Sequence, residues 1–257
     1  MWEAGRLDFA AYDFPYPDNL IIAFIGGSQL HGAKLEGTDD TDWYGVFIEP
    51  PEKMTGLDRD EFFVHTTGGK AGGNGPDDVD VCLYSLRKWA GMAAKGNPSA
   101  LHFVFAEPQF STEWWDRVVA RRDVFASKHH VLPFLKFADD QMERLCGRKG
   151  QKNVHRAELE QKHGYDTKYA VHVIRLYLEG KEFIETGRIT LPNPRVDLLI
   201  CIREGKYLRS EIEEMGKQLE AEALDAQERS SLPEGVDLVA VSQLITDVYM
   251  DFWKSRS

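Results

Sequence analysis

The stretch from Gly26 to Ile48 reads GGSQLHGAKLEGTDDTDWYGVFI and separates two apolar runs by a turn rich in glycine and aspartate. Upstream, Leu20 to Ile25 (LIIAFI) has the short, continuously apolar character of a buried strand. Gly26 and Gly27 permit a tight turn, Ser28 offers a capping oxygen for a short helix, and together they make a small nest of backbone N–H groups. Asp40 and Asp42 stand two apart at the start of a second strand, Trp43 to Ile48, so their side chains share one face. Two carboxylates held side by side repel each other unless a cation lies between them, which is the arrangement a divalent metal requires. Alone, TDDTD is more often a solvated loop than a metal site. Strand, glycine turn, short helix and Asp-x-Asp strand in succession put an anion cradle opposite a metal anchor, and that pairing suits a nucleoside triphosphate with magnesium.

Working outward, residues up to Asn19 form an aromatic, proline-containing arm expected to run extended into the first strand. Pro50 and Pro51 end the second strand, and Glu61 to Thr66 is a third. Gly68 to Asp78 (GGKAGGNGPDD) is a flexible loop by composition and lacks the G-K-[ST] ending of a phosphate-binding loop. Val79 to Tyr84 is a strand that carries Asp80. Ser85 caps a helix running to about Lys95, and Asn97 precedes another that opens at Pro98. From about Ser111 the periodicity is helical, with apolar faces in Trp114 to Ala120, Val131 to Leu145 and Val236 to Trp253, and an acidic amphipathic helix over Glu211 to Glu228. Leu198 to Ile202 is a buried segment, helix or strand. On a helix Lys168, His172 and Arg175 fall at i, i+4 and i+7 and form one stripe, which should face water or an anion.

Gly27-Ser28, Gly32 and Asp40-x-Asp42-x-x-Gly45-Val46 resemble the signature of the DNA polymerase beta superfamily of nucleotidyltransferases. Within it the chain is most similar to the RNA repair pathway polymerase beta family of bacteria and phages. That resemblance implies an α/β (α+β) nucleotidyltransferase domain with a mixed sheet over about residues 1–110, followed by a helical domain over 111–257, with the active site between them. It implies a third carboxylate beside the first two, a place Asp80 fits, and a magnesium site made by Asp40, Asp42 and Asp80 that manganese could also fill. It further implies that Gly27 and Ser28 contact the triphosphate from one side and Lys168, His172 and Arg175 from the other. The family's turn N-P-x-x-L-E is present as Asn97-Pro98-Ser99-Ala100-Leu101-His102, with His102 in place of the usual glutamate. GRITLP and the tail Ile202-Arg203-Glu204-Gly205 are similar to a later family block.

A chain of 257 residues with 42% hydrophobic content can bury a substantial core. No apolar run approaches a membrane span and the N-terminus lacks a secretory pattern, so a cytoplasmic location is expected. Cys82, Cys146 and Cys201 form no C-x-x-C pair, so neither a disulfide framework nor a zinc site is indicated. A net charge of −11 argues against broad attraction to polynucleotides, which rests on Lys and Arg. Arg144 to Arg156 (RLCGRKGQKNVHR) is the one strongly basic stretch. It is either a solvated loop or the place where an RNA or tRNA end would be held as acceptor. A small-molecule or protein hydroxyl is the alternative acceptor, and a nucleotide-binding module without turnover is the non-catalytic alternative.

Overall fold

The structure is a computed structural model that describes residues 9–34, 40–68, 78–149 and 157–256. Its sheet has five strands: β1 (Leu20–Ile25), β2 (Thr41–Phe47), β3 (Phe62–Thr66), β4 (Val79–Ser85) and β5 (Phe110–Ser111), in the order β3-β4-β2-β1-β5. β1 is antiparallel to β2 and β5, β3 is antiparallel to β4, and β2 and β4 run parallel. The sheet is therefore mixed, as expected. Its parallel pair sits at the centre, with Asp42 directly opposite Asp80.

Pleating sorts the side chains of these central strands onto two faces. Val79, Val81 and Leu83 of β4, with Trp43 and Phe47 of β2, join a smaller apolar cluster on one side. Asp80, Cys82 and Tyr84, with Asp42, Tyr44 and Val46, have the opposite parity and look toward the other side. The smaller cluster is closed by the N-terminal arm, which is not simply extended. It forms 3-10 turns at Phe9–Tyr12 and Pro17–Asn19. Phe14 meets Phe47 and Phe63 with ring centroids 5.2 Å apart, and Tyr16 stacks on Phe47 at 5.8 Å.

The other face is covered by helices. α1 (Gly27–Leu30) and α2 (Pro51–Thr55) are single turns, and α3 (Leu86–Ala93) and α4 (Pro98–His102) follow β4. Ser85 caps α3 by accepting from Lys88 N, and Asn97 caps α4 by accepting from Ala100 N, both as their sequence positions require. Beyond the sheet come α5 (Glu113–Val119), α6 (Val131–Leu145), α7 (Ala157–His163), α8 (Thr167–Thr186), α9 (Val196–Arg203), α10 (Arg209–Arg229) and α11 (Leu238–Ser255). The segment at Leu198 to Ile202, open between helix and strand from sequence, is helical. α8 is the axis of this layer and packs against α6, α9 and α10. One apolar cluster runs from Ile22 and Val46 through Trp89 and Phe103 to Ile174 and Tyr249, so sheet and helices share a core across the expected boundary at residue 110. No helix among the described residues is long and apolar enough to cross a membrane.

α11 is tied to the sheet by a buried polar contact. Tyr249 Oη donates to Glu49 Oε2 at 2.6 Å and accepts from Arg87 N at 3.0 Å, and Trp253 Nε1 donates to Glu49 O at 3.1 Å. Burial raises the Glu49 carboxyl above its ordinary range, and the Tyr249 hydroxyl works against that rise. Tyr249→Phe should cost about 1–3 kcal/mol in denaturant unfolding, because the buried carboxyl and the Arg87 amide both lose a partner. An unchanged denaturation midpoint would contradict this.

Candidate active site

The turn after β1 holds the first part of the site. α1 begins at Gly27 with Gly26 as its N-cap, and no side chain caps it. Ser28 therefore lies within the first turn and does not cap, contrary to the expectation from sequence. The reason is crowding. A Cβ on Gly26 would lie 2.3 Å from the Tyr44 ring, and one on Gly27, whose φ is +59°, would lie 1.9 Å from Asp42 Oδ2. Gly26 N also donates to Asp42 O at 2.8 Å. Two successive glycines are needed because the turn presses directly onto β2.

β2 and β4 supply the acids. Asp40 immediately precedes β2, Asp42 is its second residue and Asp80 the second of β4. One carboxylate oxygen from each of the three lies within 4.8 Å of the other two, and all three residues are half-buried. The parallel register makes Asp42 and Asp80 neighbours, and the two-residue period adds Asp40. Three hard oxygen donors converging from rigid strands fit a magnesium or manganese ion in donor type.

A cavity of about 370 Å³ opens beside these acids. Gly27, Ser28, Asp40 and Asp42 line one side, and Lys168, His172 and Arg175 of α8 line the other. Asp166 caps α8: its carboxylate accepts from the Lys168 and Tyr169 amides and so fixes the turn that carries Lys168. Tyr44 and Phe103 add aromatic surface, with ring centroids 6.0 Å apart. Burial, then the nearby Asp42, pushes the Tyr44 hydroxyl well up, so it stays a neutral phenol.

The α8 stripe is less uniform than its spacing predicts. His172 is exposed and Lys168 half-buried, but Arg175 is buried and already faces an anion of its own helix. Arg175 Nη1 donates to Glu179 Oε2 at 2.8 Å, and Arg175 Nη2 lies 3.3 Å from His172 Nδ1. A guanidinium only donates, so that contact makes His172 Nδ1 the acceptor. Glu179 is fully buried, and His102 Nε2 donates to its Oε2 at 2.9 Å. His31 Nδ1 lies 3.0 Å from Oε1 without the alignment of a hydrogen bond. Burial alone would raise the Glu179 carboxyl, but Arg175 and the imidazoles outweigh it and hold it well below the usual carboxylate range. Burial, then Arg175, lowers His31 to about 3, so Arg175 is the cation that balances Glu179.

Sequence reading gave no site role to His31, Glu179 or Arg203, of which His31 and Arg203 line the cavity. The i, i+4 spacing of Arg175 and Glu179 was the available signal for the second. His102, noted only as a departure from a pattern, is a buried partner of Glu179. The described part of the basic stretch is engaged with α6: Arg148 Nη2 lies 2.8 Å from Glu143 Oε1, and Lys149 pairs with Asp140. Residues 150–156, and residues 69–77 of the glycine-rich loop, lie outside the described residues.

A mixed sheet with an aspartate cluster on its central parallel pair, facing a helical layer, is the architecture of the polymerase-beta-type nucleotidyltransferases. The chain belongs to the RNA repair pathway DNA polymerase beta family, whose family model matches residues 4–233. Comparison with curated proteins finds no match. Among solved structures the chain is similar to a nucleotidyltransferase-like protein from Exiguobacterium sibiricum 255-15, at 10% identity and a TM-score of 0.31, over 86% of this chain and 72% of that one.

Two outcomes follow from this geometry. Gly27→Ala places a methyl group on the Asp42 carboxylate at a left-handed φ, so it should displace that side chain and cost about 1 kcal/mol or more. Mn2+ titration of the folded variant should show weakened binding, and wild-type affinity would contradict the packing. His31 binds its proton near pH 3 in the folded chain against an ordinary value of 6.5. The unfolded chain therefore takes up more protons between these values, and stability should fall as pH drops from 6.5 toward 3. His31→Asn should flatten the slope of unfolding free energy against pH in that window, and an unchanged slope would show His31 to be protonated in the folded state.

Proposed function

We propose that this protein is a magnesium-dependent nucleotidyltransferase that moves a nucleoside monophosphate from a nucleoside triphosphate to a hydroxyl acceptor. The observation that carries the reading is the convergence of Asp40, Asp42 and Asp80 within 4.8 Å, with Asp40 and Asp42 on the wall of a cavity whose other wall is cationic. Three mutually repelling acids serve little purpose in a module that only binds nucleotide, whereas they suit a divalent cation. Magnesium or manganese, when bound, would supply charge neutralisation at the phosphates and lower the pKa of an attacking hydroxyl.

In this reading the chain's own residues bind and orient. Ser28 and the Gly27 backbone contact the β and γ phosphates from the sheet side, while Lys168, His172 and Arg175 compensate charge on the leaving pyrophosphate from the helical side. The acceptor oxygen attacks the α-phosphorus in line, the bond to the bridging oxygen breaks, and the acceptor proton passes to Asp80 or to water. Positioning and charge compensation carry such a displacement, so no covalent nucleophile of the protein is needed. Tyr44 and Phe103 offer ring faces on which a nucleobase can stack.

An RNA or tRNA end is the acceptor we propose, on the strength of the RNA repair pathway family and the basic run from Arg144 to Arg156. A small-molecule or protein hydroxyl is the second reading, favoured by the net charge of −11 and by the pairing of Arg148 and Lys149 with acids of α6. A cytoplasmic location accords with either.

Incubation with Mg2+ and each α-32P-labelled triphosphate, with and without total RNA, tests the reading. Label should enter RNA, and Asp40→Asn or Asp42→Asn should reduce transfer at least ~10²-fold while the fold is kept. Retained activity in either variant would overturn the carboxylate assignment. Lys149→Ala with Lys152→Ala should lower labelling of RNA alone, and no change would remove the basic run from the acceptor site.

A further inference from the structure

Glu179 is the most deeply buried charge near the cavity, yet it does not line it. His31, His102 and Arg175 do. An ionised carboxylate inside a helical layer is costly unless matched by partners, and an apolar residue would pack there at lower cost. What the carboxylate does is gather three nitrogen-bearing side chains from three separate elements. His31 follows α1, the turn pressed against Asp42. His102 ends α4, and Arg175 lies one turn earlier on α8.

We propose that Glu179 is a positioning residue for triphosphate binding: from behind the cavity wall it fixes the Arg175 guanidinium and the His102 ring facing the phosphates. This rests on the nucleotidyltransferase reading above. Oε2 accepts from both Arg175 Nη1 and His102 Nε2, so one atom sets the spacing of the two donors. A second guanidinium nitrogen, Nη2, reaches His172 and ties the exposed middle of the stripe to its buried end. The arrangement is pre-organised, because the Arg175 side chain is held by a carboxylate before any anion arrives. His31, His102 and Glu179 have the donor types of a transition-metal site. The Arg175 guanidinium on the same carboxylate opposes a second cation there, which favours the positioning role.

The test compares wild type, Glu179→Gln and the exchange Glu179→His with His102→Glu, which returns a carboxylate to the same contact from the other side. Three quantities are measured on the full chain: Kd for inorganic tripolyphosphate in Mg2+, Mn2+ affinity, and zinc content. Glu179→Gln should raise the tripolyphosphate Kd about tenfold or more with Mn2+ affinity kept, and the exchange should recover much of the loss. A tripolyphosphate Kd unchanged in Glu179→Gln overturns the proposal, as does an exchange variant no better than Glu179→Gln. Should Glu179→Gln not fold, Glu179→Asp carries the same test, since it withdraws the carboxylate by one methylene, and an unchanged Kd there is equally decisive. Stoichiometric zinc, lost on His31→Asn, would make the cluster a metal centre and overturn the positioning role. Wild-type protein that binds neither Mn2+ nor tripolyphosphate would overturn the transferase reading itself, and this assignment with it.

Discussion

The parallel register of β2 with β4 is the constraint on which the rest depends. It sets Asp42 opposite Asp80, and three carboxylates then crowd together that would separate if they were free to do so. The register is held from the far side of the sheet. Val81 and Leu83 are buried there with Phe47, under Phe9 and Phe14 of the N-terminal arm. Sliding β4 by one residue would turn those apolar side chains toward the cavity and Asp80 away from it. Burial on one face thus stabilises an electrostatically unfavourable arrangement on the other. The glycine turn adds a second restraint, since Gly27 lies flush against the Asp42 carboxylate and leaves it little room to withdraw.

Across the cavity the problem is inverted. Lys168, Arg175 and Arg203 gather cationic side chains where the sheet gathers acids. On an acidic protein this local reversal of charge matters more than the net value, because a polyanion entering the cavity meets the wall and not the average. The wall is built so that its charge is compensated at rest: Glu179 sits behind Arg175, and His31 is neutral under ordinary conditions. Arg175 is therefore not buried as an unmatched cation at rest.

Much of this was legible in the residues. The apolar runs gave β1 its observed limits, Ser85 and Asn97 announced their helices, and the family resemblance suggested Asp80 as the neighbour of Asp42. Less was legible where a partner distant in sequence decides the outcome. Ser28 is a good cap by type, but Tyr44 and Asp42 press the chain so closely at Gly26 and Gly27 that the helix starts two residues earlier. The stripe of Lys168, His172 and Arg175 looked uniform because helical spacing says nothing of what lies beneath it. Glu179, one turn further on, takes up Arg175, and His102 reaches it from 77 residues away. The arm before β1 curls into 3-10 turns because its aromatic rings find Phe47, Trp43 and Phe63, which no local pattern announces.

Crystals grown with Mn2+ and a non-hydrolysable nucleoside triphosphate, examined by anomalous scattering at the manganese edge, address the central claim most directly. An anomalous peak among Asp40, Asp42 and Asp80, with the triphosphate extending toward Lys168, His172 and Arg175, is the result expected. A peak elsewhere, or a triphosphate bound away from the aspartates, would contradict it.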